Sequence, residues 1–356
     1  MSASVETQST VQSIARPWTK WSKSRVMNSL VPSLLPLLSA SIIVKTTGLD
    51  GIAGFIGGWI LSAAVVVVIW PIAMKKPNVR GDIFMQSAIW FSIAIFTAAI
   101  GWLLQSIFTP GLKAFRFSLL TSDSSTLGVD TPLDQGGLIH AILGSLIIVG
   151  VATLIAVPFG ILAALYITEV RGRLVPLTRF FIQAMSGVPS IVAGLFIYAA
   201  LIVSQVLPFT GFTGSLALVI LMLPTVARTA EEVIRLVPDD LRNAALALGG
   251  TQMRTVLQIV IPTARTGLIT ATILGIARVA GETAPLLLTA FGSSSTNLNP
   301  FEGTMATLPW YIFTQMSLGT ENDVARAWVA AVVLLVIVSG FFVAARLLGR
   351  PKSVQR

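Results

Sequence analysis

The feature that most restricts this chain is a succession of apolar runs, nearly free of charge and separated by short basic clusters. A helix needs about 20 mostly apolar residues to cross a hydrocarbon core of about 30 Å. Runs that meet this or approach it fall at 28–46, 51–73, 87–108, 138–168, 180–206, 214–228, 266–291 and 327–348. The first is broken by Pro32 and Pro36 and ends near Lys45, and the fourth is long enough to tilt or to project beyond Pro158. Only 11% of the 356 residues are charged and the mean hydropathy is +0.84, whereas a soluble domain carries about a quarter charged residues. The sequence therefore predicts an all-α, polytopic membrane helix bundle.

Charge placement orients it. The basic clusters are Arg16–Lys20–Lys23–Arg25, Lys75–Lys76–Arg80, Arg171–Arg173–Arg179, Arg228–Arg235–Arg242–Arg254–Arg265 and Arg346–Arg350–Lys352–Arg356. Every second connection is basic, and the intervening ones carry Asp50, Asp123, Asp130, Asp134, Glu302, Glu321 and Asp323. Lys and Arg concentrate on the cytoplasmic side of a membrane, so both termini are expected there, in a bacterial cytoplasmic membrane. The net charge of +9 is dispersed among these loops; nucleic-acid binding would want one continuous basic face. The absence of cysteine excludes disulfides, thiolate chemistry and sulfur-ligated zinc. No cleavable signal peptide is expected, because the first apolar run starts near residue 28 behind a Ser/Thr-rich tail. Trp18 and Trp21, interleaved with Lys20 and Lys23, suit a stretch lying on anionic lipid, or a free tail.

The longest basic connection reads as two short helices. Pro238 and Asp239 open the first, an acid at the positive helix end. Leu241, Ala244, Ala245 and Leu248 follow at helical spacing, Gly249-Gly250 supplies a left-handed cap, and Thr251 caps the next helix. Pro262 is expected to stop that second helix. The Ala244-Ala245 step lets another backbone approach closely; an ordinary connecting loop is the plainer alternative.

Asn243-Ala244-Ala245, Gly249 and Ile259-Val260-Ile261-Pro262 resemble the EAA signature of binding-protein-dependent ABC importer permeases. Asn243 stands where that family usually has Glu. Gly187-Val188-Pro189-Ser190 through Gly194, Leu223-Pro224 through Glu232, and Ala277-Arg278 through Gly281-Glu282-Thr283-Ala284-Pro285 resemble the phosphate-transport branch of the same family. The resemblance covers about 87–348 and implies a six-span permease core behind about two extra N-terminal spans. It divides the chain into a tail 1–27, an extra hairpin 28–80, a permease domain 87–348 with a coupling loop 229–265, and a tail 349–356. It also implies partners: a second, PstC-like permease, two copies of a PstB-like ATPase docked on the coupling loop, and an extracytoplasmic, PstS-like phosphate-binding protein. In such an assembly ATP and Mg belong to the ATPase, and this chain binds no cofactor. In agreement, no lysine here follows a glycine, so the Walker A phosphate loop is absent.

An ionisable residue inside a span is a functional candidate. Arg278 lies in the seventh run with Glu282 four residues on, where one helix face would pair them. A guanidinium fork matches a tetrahedral oxyanion, and Glu282 would keep Arg278 from trapping it; a structural ion pair is the alternative. Arg228, at the end of the sixth run, is either an inner station for the anion or a snorkelling anchor. Gly187, Pro189 and Gly194 either break the fifth run or let helices pack closely. His140 is the only histidine and reads as bland, and Glu302, Glu321 and Asp323 offer a surface to a binding protein. The reading is a permease half of an ATP-driven phosphate importer, not itself an enzyme. A permease for another oxyanion such as sulfate or molybdate is the alternative. An intramembrane enzyme is remote, since the runs hold no paired carboxylates, Ser/His set or metal cluster. A secondary transporter would be expected to show an internal repeat, and none stands out.

Overall fold

The computed structural model describes residues 52–73, 77–128 and 131–348, with parts of 35–45. The expected tails at 1–27 and 349–356, and much of the first expected span at 28–46, lie outside the described residues. The chain forms two compact units, 1–105 and 106–356.

In the first unit, α1 (Ile52–Ala73) is apolar along its length. The Ser62 hydroxyl donates to the Gly58 carbonyl at 2.9 Å within α1, or to the Pro36 carbonyl at 3.0 Å. α2 (Pro77–Ala114) begins in the first unit and ends in the second.

The second unit contains α3 (Ile139–Leu165) running into a π turn at Tyr166–Val170, α4 (Val175–Ser186), and α5 (Ser190–Ile197) running into a π turn at Tyr198–Val203. Then come α6 (Gly211–Arg235), α7 (Asp239–Ala247), α8 (Gln252–Ala280), α9 (Ala284–Leu287), α10 (Leu308–Leu318) and α11 (Glu321–Leu348). Among the described residues no strand forms, and the one β-bridge joins Phe291 to Met305. Five described helices are long and apolar enough to span a membrane, six if the bent pair α4–α5 counts as one. This is the all-α membrane bundle expected from the apolar runs.

α6 is the axis. Its Leu218, Leu221, Met222 and Val226 are buried against Ile148, Ala152 and Ala156 of α3. Lipid tails give helices no hydrophobic reason to associate, so close packing through small residues takes over. A Cβ on Gly160 of α3 would lie 3.0 Å from Val226, and one on Gly275 of α8 would lie 2.7 Å from it. One on Gly267 of α8 would come within 2.2 Å of Val233. A Thr210/Thr213 capping box satisfies the first amides of α6.

One open reading is decided and two expectations are corrected. In the run 180–206, α4 and α5 meet at an angle of 107° across Gly187-Val188-Pro189, so the run is broken there. Pro262 does not stop a helix. It follows a π turn at Val256–Val260 and sits in the first turn of a segment that continues to Ala280. That position needs no proline N–H within its own segment, and the wider turn accommodates the ring. The seventh run also ends early, at Ala280, because Gly281 closes α8 and a separate helix starts at Ala284.

Candidate functional site

The segment after α6 forms largely as its local signals dictate. Pro238 precedes α7, and Asp239 and Asp240 occupy its first turn. Gly249 takes φ +82°, with its N–H on the Leu246 carbonyl (2.9 Å) and the Gly250 N–H on the Ala245 carbonyl (3.1 Å). Thr251 accepts the Arg254 N–H at 3.3 Å. No residue of α7 is buried. Asn243, Ala244 and Gly249 are exposed and Ala245 is half-buried. Leu248 and Met253 stand 90% and 68% exposed beside them, and a Cβ on Gly249 would meet nothing within 4 Å beyond its chain neighbours. Small residues and two exposed apolar side chains thus lie together on an unburied segment. Ile259 and Ile261 are half-buried and Pro262 is exposed at the root of α8, where Val260 packs with Ala230, Ile234 and Ala264. The two halves of the signature therefore separate: 243–249 is presented outward, and 259–262 anchors it.

A clasp that the sequence did not announce holds α7 to the bundle. Arg242 reaches Glu169, in the π turn ending α3, with Nη2 2.8 Å and Nε 3.1 Å from Oε1. Its Nη1 meets Asp239 Oδ1 at 3.0 Å, and its Nη2 also reaches the Ile234 carbonyl at 2.9 Å. Gln252, opening α8, donates to the Glu169 carbonyl. Glu169 thus receives contacts from both α7 and the start of α8. Its partner lies 73 residues away, beyond any local motif.

The intramembrane arginine is placed differently from expectation. Arg278 occupies the last turn of α8 and is exposed. Glu282 lies beyond the helix end, its N–H on the Val279 carbonyl at 3.2 Å. Among the described residues no ion pair joins the two. Among the described residues nothing engages the Arg278 guanidinium, at the break between α8 and α9. The same break meets α5: a Cβ on Gly194 would lie 2.6 Å from Pro285 Cα. Gly187–Pro189 makes the bend and Gly194 the close approach, so both readings of that motif hold. Arg228 is exposed near the end of α6, on a cavity of about 300 Å³ shared with Arg179, Glu231, Glu232 and Arg235.

The family model for the binding-protein-dependent transport system inner membrane component matches residues 156–352. The phosphate transport system permease protein PstA of Mycobacterium leprae is 41% identical over 77% of this chain and 90% of its own length. The PstA of Pasteurella multocida is 38% identical over 68% and 85%. The chain belongs to the PstA family. A solved MetNI methionine ABC transporter, inward facing, matches with 17% identity and a TM-score of 0.49 over 62% of this chain and 96% of its own.

The opposite end of this PstA-family fold carries polar groups that the sequence reading undervalued. Arg326 of α11 is fully buried, with Nη1 3.2 Å from Asp323 Oδ1. Its Nη2 lies 2.7 Å from the Thr131 and Pro132 carbonyls and 3.1 Å from that of Gln135. Asp323 is completed by the Thr320 hydroxyl at 2.7 Å, so it is internal and not a surface for a binding protein. His140 is buried edge-on against Tyr311, ring centroids 5.5 Å apart. Nearby, Asp123 accepts from the Ser125 hydroxyl at 2.7 Å and the Thr296 N–H at 3.2 Å, and these bonds, Ser125's first, hold its carboxyl below the usual range.

Proposed function

We propose that this chain is the transmembrane permease subunit of an ATP-driven importer of inorganic phosphate, forming half of the translocation pathway. The observation that carries the reading is the unburied helix α7, with Gly249 in a left-handed turn, presented outward from a PstA-family bundle. Similarity to the phosphate permeases of Mycobacterium leprae and Pasteurella multocida supports phosphate as the cargo. The partners on this reading are a PstC-like second permease, two PstB-like ATPase subunits and a PstS-like phosphate-binding protein, around a bacterial cytoplasmic membrane.

ATP and Mg act in the ATPase. What this chain does is receive motion and open a path. The ATPase seats Asn243, Ala244, Ala245 and Gly249 against its own surface, while Ile259, Ile261 and Pro262 keep α8 rooted. Displacement of α7 passes through Arg242 to Glu169 and so to α3, and through Gln252 to α8. Packed side chains and ion pairs of this kind are the physical carriers of coupling between distant sites. α3 and α8 both pack on α6 through Gly160 and Gly275, so a shift in either moves the bundle as a body. Arg278, unpaired at the α8–α9 break, offers a phosphate ion the bidentate fork that suits its oxygens. Glu282 and Arg228 flank that path, the first limiting how tightly the anion is held and the second receiving it near the coupling end.

The test is phosphate uptake in cells lacking this chain, restored with wild-type, Arg278→Ala or Gly249→Trp protein at matched abundance. Uptake restored by wild type alone and insensitive to sulfate is the expected result. Full uptake with Arg278→Ala removes the anion path proposed here, and strong sulfate competition reassigns the cargo.

A further inference from the structure

A second cluster of arginines, apart from Arg278, lies where α4, the end of α3 and the end of α6 converge. Arg171, Arg179, Arg235 and Arg242 line a cavity of about 390 Å³, with Thr168 and Asp239 in its wall. Charge balance inside it is uneven. Arg242 consumes Glu169 and Asp239. Arg179 and Arg235 share a single carboxylate, Glu231, at 3.1 and 2.5 Å. Among the described residues Arg171 has no carboxylate: its Nε donates to the Thr168 carbonyl at 2.9 Å and its terminal nitrogens are unengaged. Three guanidinium groups therefore have one carboxylate between them. The Nε and Nη1 groups of Arg179 and Arg235 remain free to donate, as do both terminal nitrogens of Arg171.

The backbone holds this arrangement at some cost. Arg171 adopts φ +51°, a left-handed conformation that side chains disfavour, and this turns the chain sharply out of the π turn toward α4. Beside the cavity, Leu174 before α4 and Leu177, Phe180 and Phe181 on it are exposed. α4 also crosses the direction of α5 at 107°. A basic concavity next to an exposed apolar face, on a helix that turns away from the one after it, suits a phosphate group whether free in water or attached to acyl chains.

We propose that this cavity is a binding site for a phosphoryl oxyanion, supplied either as inorganic phosphate or as the headgroup of an anionic phospholipid. Arg171, Arg179 and Arg235 are its ligands, and Arg242 is the saturated back wall through which occupancy bears on the α7 clasp. The site excludes Arg278, but Arg179 and Arg235 also line the cavity of Arg228, so its free-phosphate form rests on the path assigned above whereas its lipid form does not.

The test uses the full chain with its partner subunits in nanodiscs, without nucleotide. One arm measures phosphatidylglycerol retained on native mass spectrometry. The other measures saturable broadening of the phosphorus resonance of inorganic phosphate in phosphatidylcholine discs. The proposal expects one of the two signals in wild type and in Arg278→Ala, and its loss by tenfold or more when Arg171→Gln/Arg235→Gln is added to the Arg278→Ala background, which removes the other phosphate site. The Glu231→Gln variant frees Arg179 and Arg235, so it strengthens the same signal, a gain that misfolding cannot produce. Retained lipid identifies the headgroup and broadened phosphate identifies the free ion. Neither signal in wild type, or equal signals in all variants, overturns the proposal. So does loss of ATPase association in the double variant with binding unchanged, which would make these arginines a protein contact.

Discussion

At the cap end of the bundle Arg326 is sealed from solvent, its cation on Asp323 and its Nη2 on three loop carbonyls. At the coupling end Arg242 keeps 15% of its side chain exposed and grips Glu169 from a helix with no buried residue. Both arginines bind a carboxylate and backbone carbonyls. They differ in what surrounds them. Arg326 fixes the loop 131–135 to α11 within a packed cluster that includes Leu138, Leu308, Tyr311 and Val329. Arg242 lacks that packing, since no residue of its own helix is buried, so on the proposed function the element it holds is the one that moves. A charge clasp becomes a rivet or a hinge pin according to the apolar packing around it.

The largest way to sharpen this contrast is to remove the cap-end cation. Arg326→Met leaves Asp323 buried without its partner, which costs about 3–5 kcal/mol. The purified protein in detergent should unfold several degrees lower, and Arg326→Met/Asp323→Leu should recover much of the loss. Unfolding of the single variant at the wild-type temperature would break the comparison at its strong end.

Arg242→Gln should cost less, about 1.5–3 kcal/mol, the range for hydrogen bonds to charged groups. The loss should be local: faster amide exchange across 239–247 and 166–170, with 308–330 unchanged. Exchange that rises equally at both ends would mean that the two clasps belong to one cooperative unit. Gly249→Ala comes next, at about 1 kcal/mol, because alanine disfavours φ +82° although open space surrounds it. Gly249→Asn should cost less than Gly249→Ala in the same exchange measurement, since asparagine tolerates the left-handed region; equal exchange in both variants would argue against strain as the cause. The smallest effect concerns Asp123. Its carboxyl is depressed in the folded chain, so what it adds is present above the ordinary carboxylate range and is lost as pH falls through the depressed value. Exchange at Thr296 should accelerate only in that acidic window, and Asp123→Asn should abolish the acceleration.

What was legible in the sequence was what short-range chemistry decides. The start of α7 at Asp239, the left-handed Gly249 and the Thr251 cap each depend on neighbours within a few residues, and each forms as read. Proline punctuation was less reliable. Pro262 reads as a stop, yet the π turn before it lets the helix run on, as α3 and α6 also run through Pro158 and Pro224. The Arg278–Glu282 pair failed for a related reason: four-residue spacing pairs side chains only while the helix lasts, and Gly281 ends it. The two clasps were invisible because their partners are remote in sequence, Glu169 from Arg242 by 73 residues and Thr131 from Arg326 by 195. Asp323 looked like an external acid because its loop setting is polar. Only the packing of α11 against the cap shows it to be internal.

The most direct test of the account is a charge exchange across the coupling clasp, read as phosphate uptake at matched abundance. Arg242→Glu and Glu169→Arg should each abolish uptake while the chain still associates with its ATPase, and the double exchange should restore a substantial part of it. Uptake at the wild-type rate in either single variant would contradict the account, because motion of α7 would then reach the bundle without passing through Glu169.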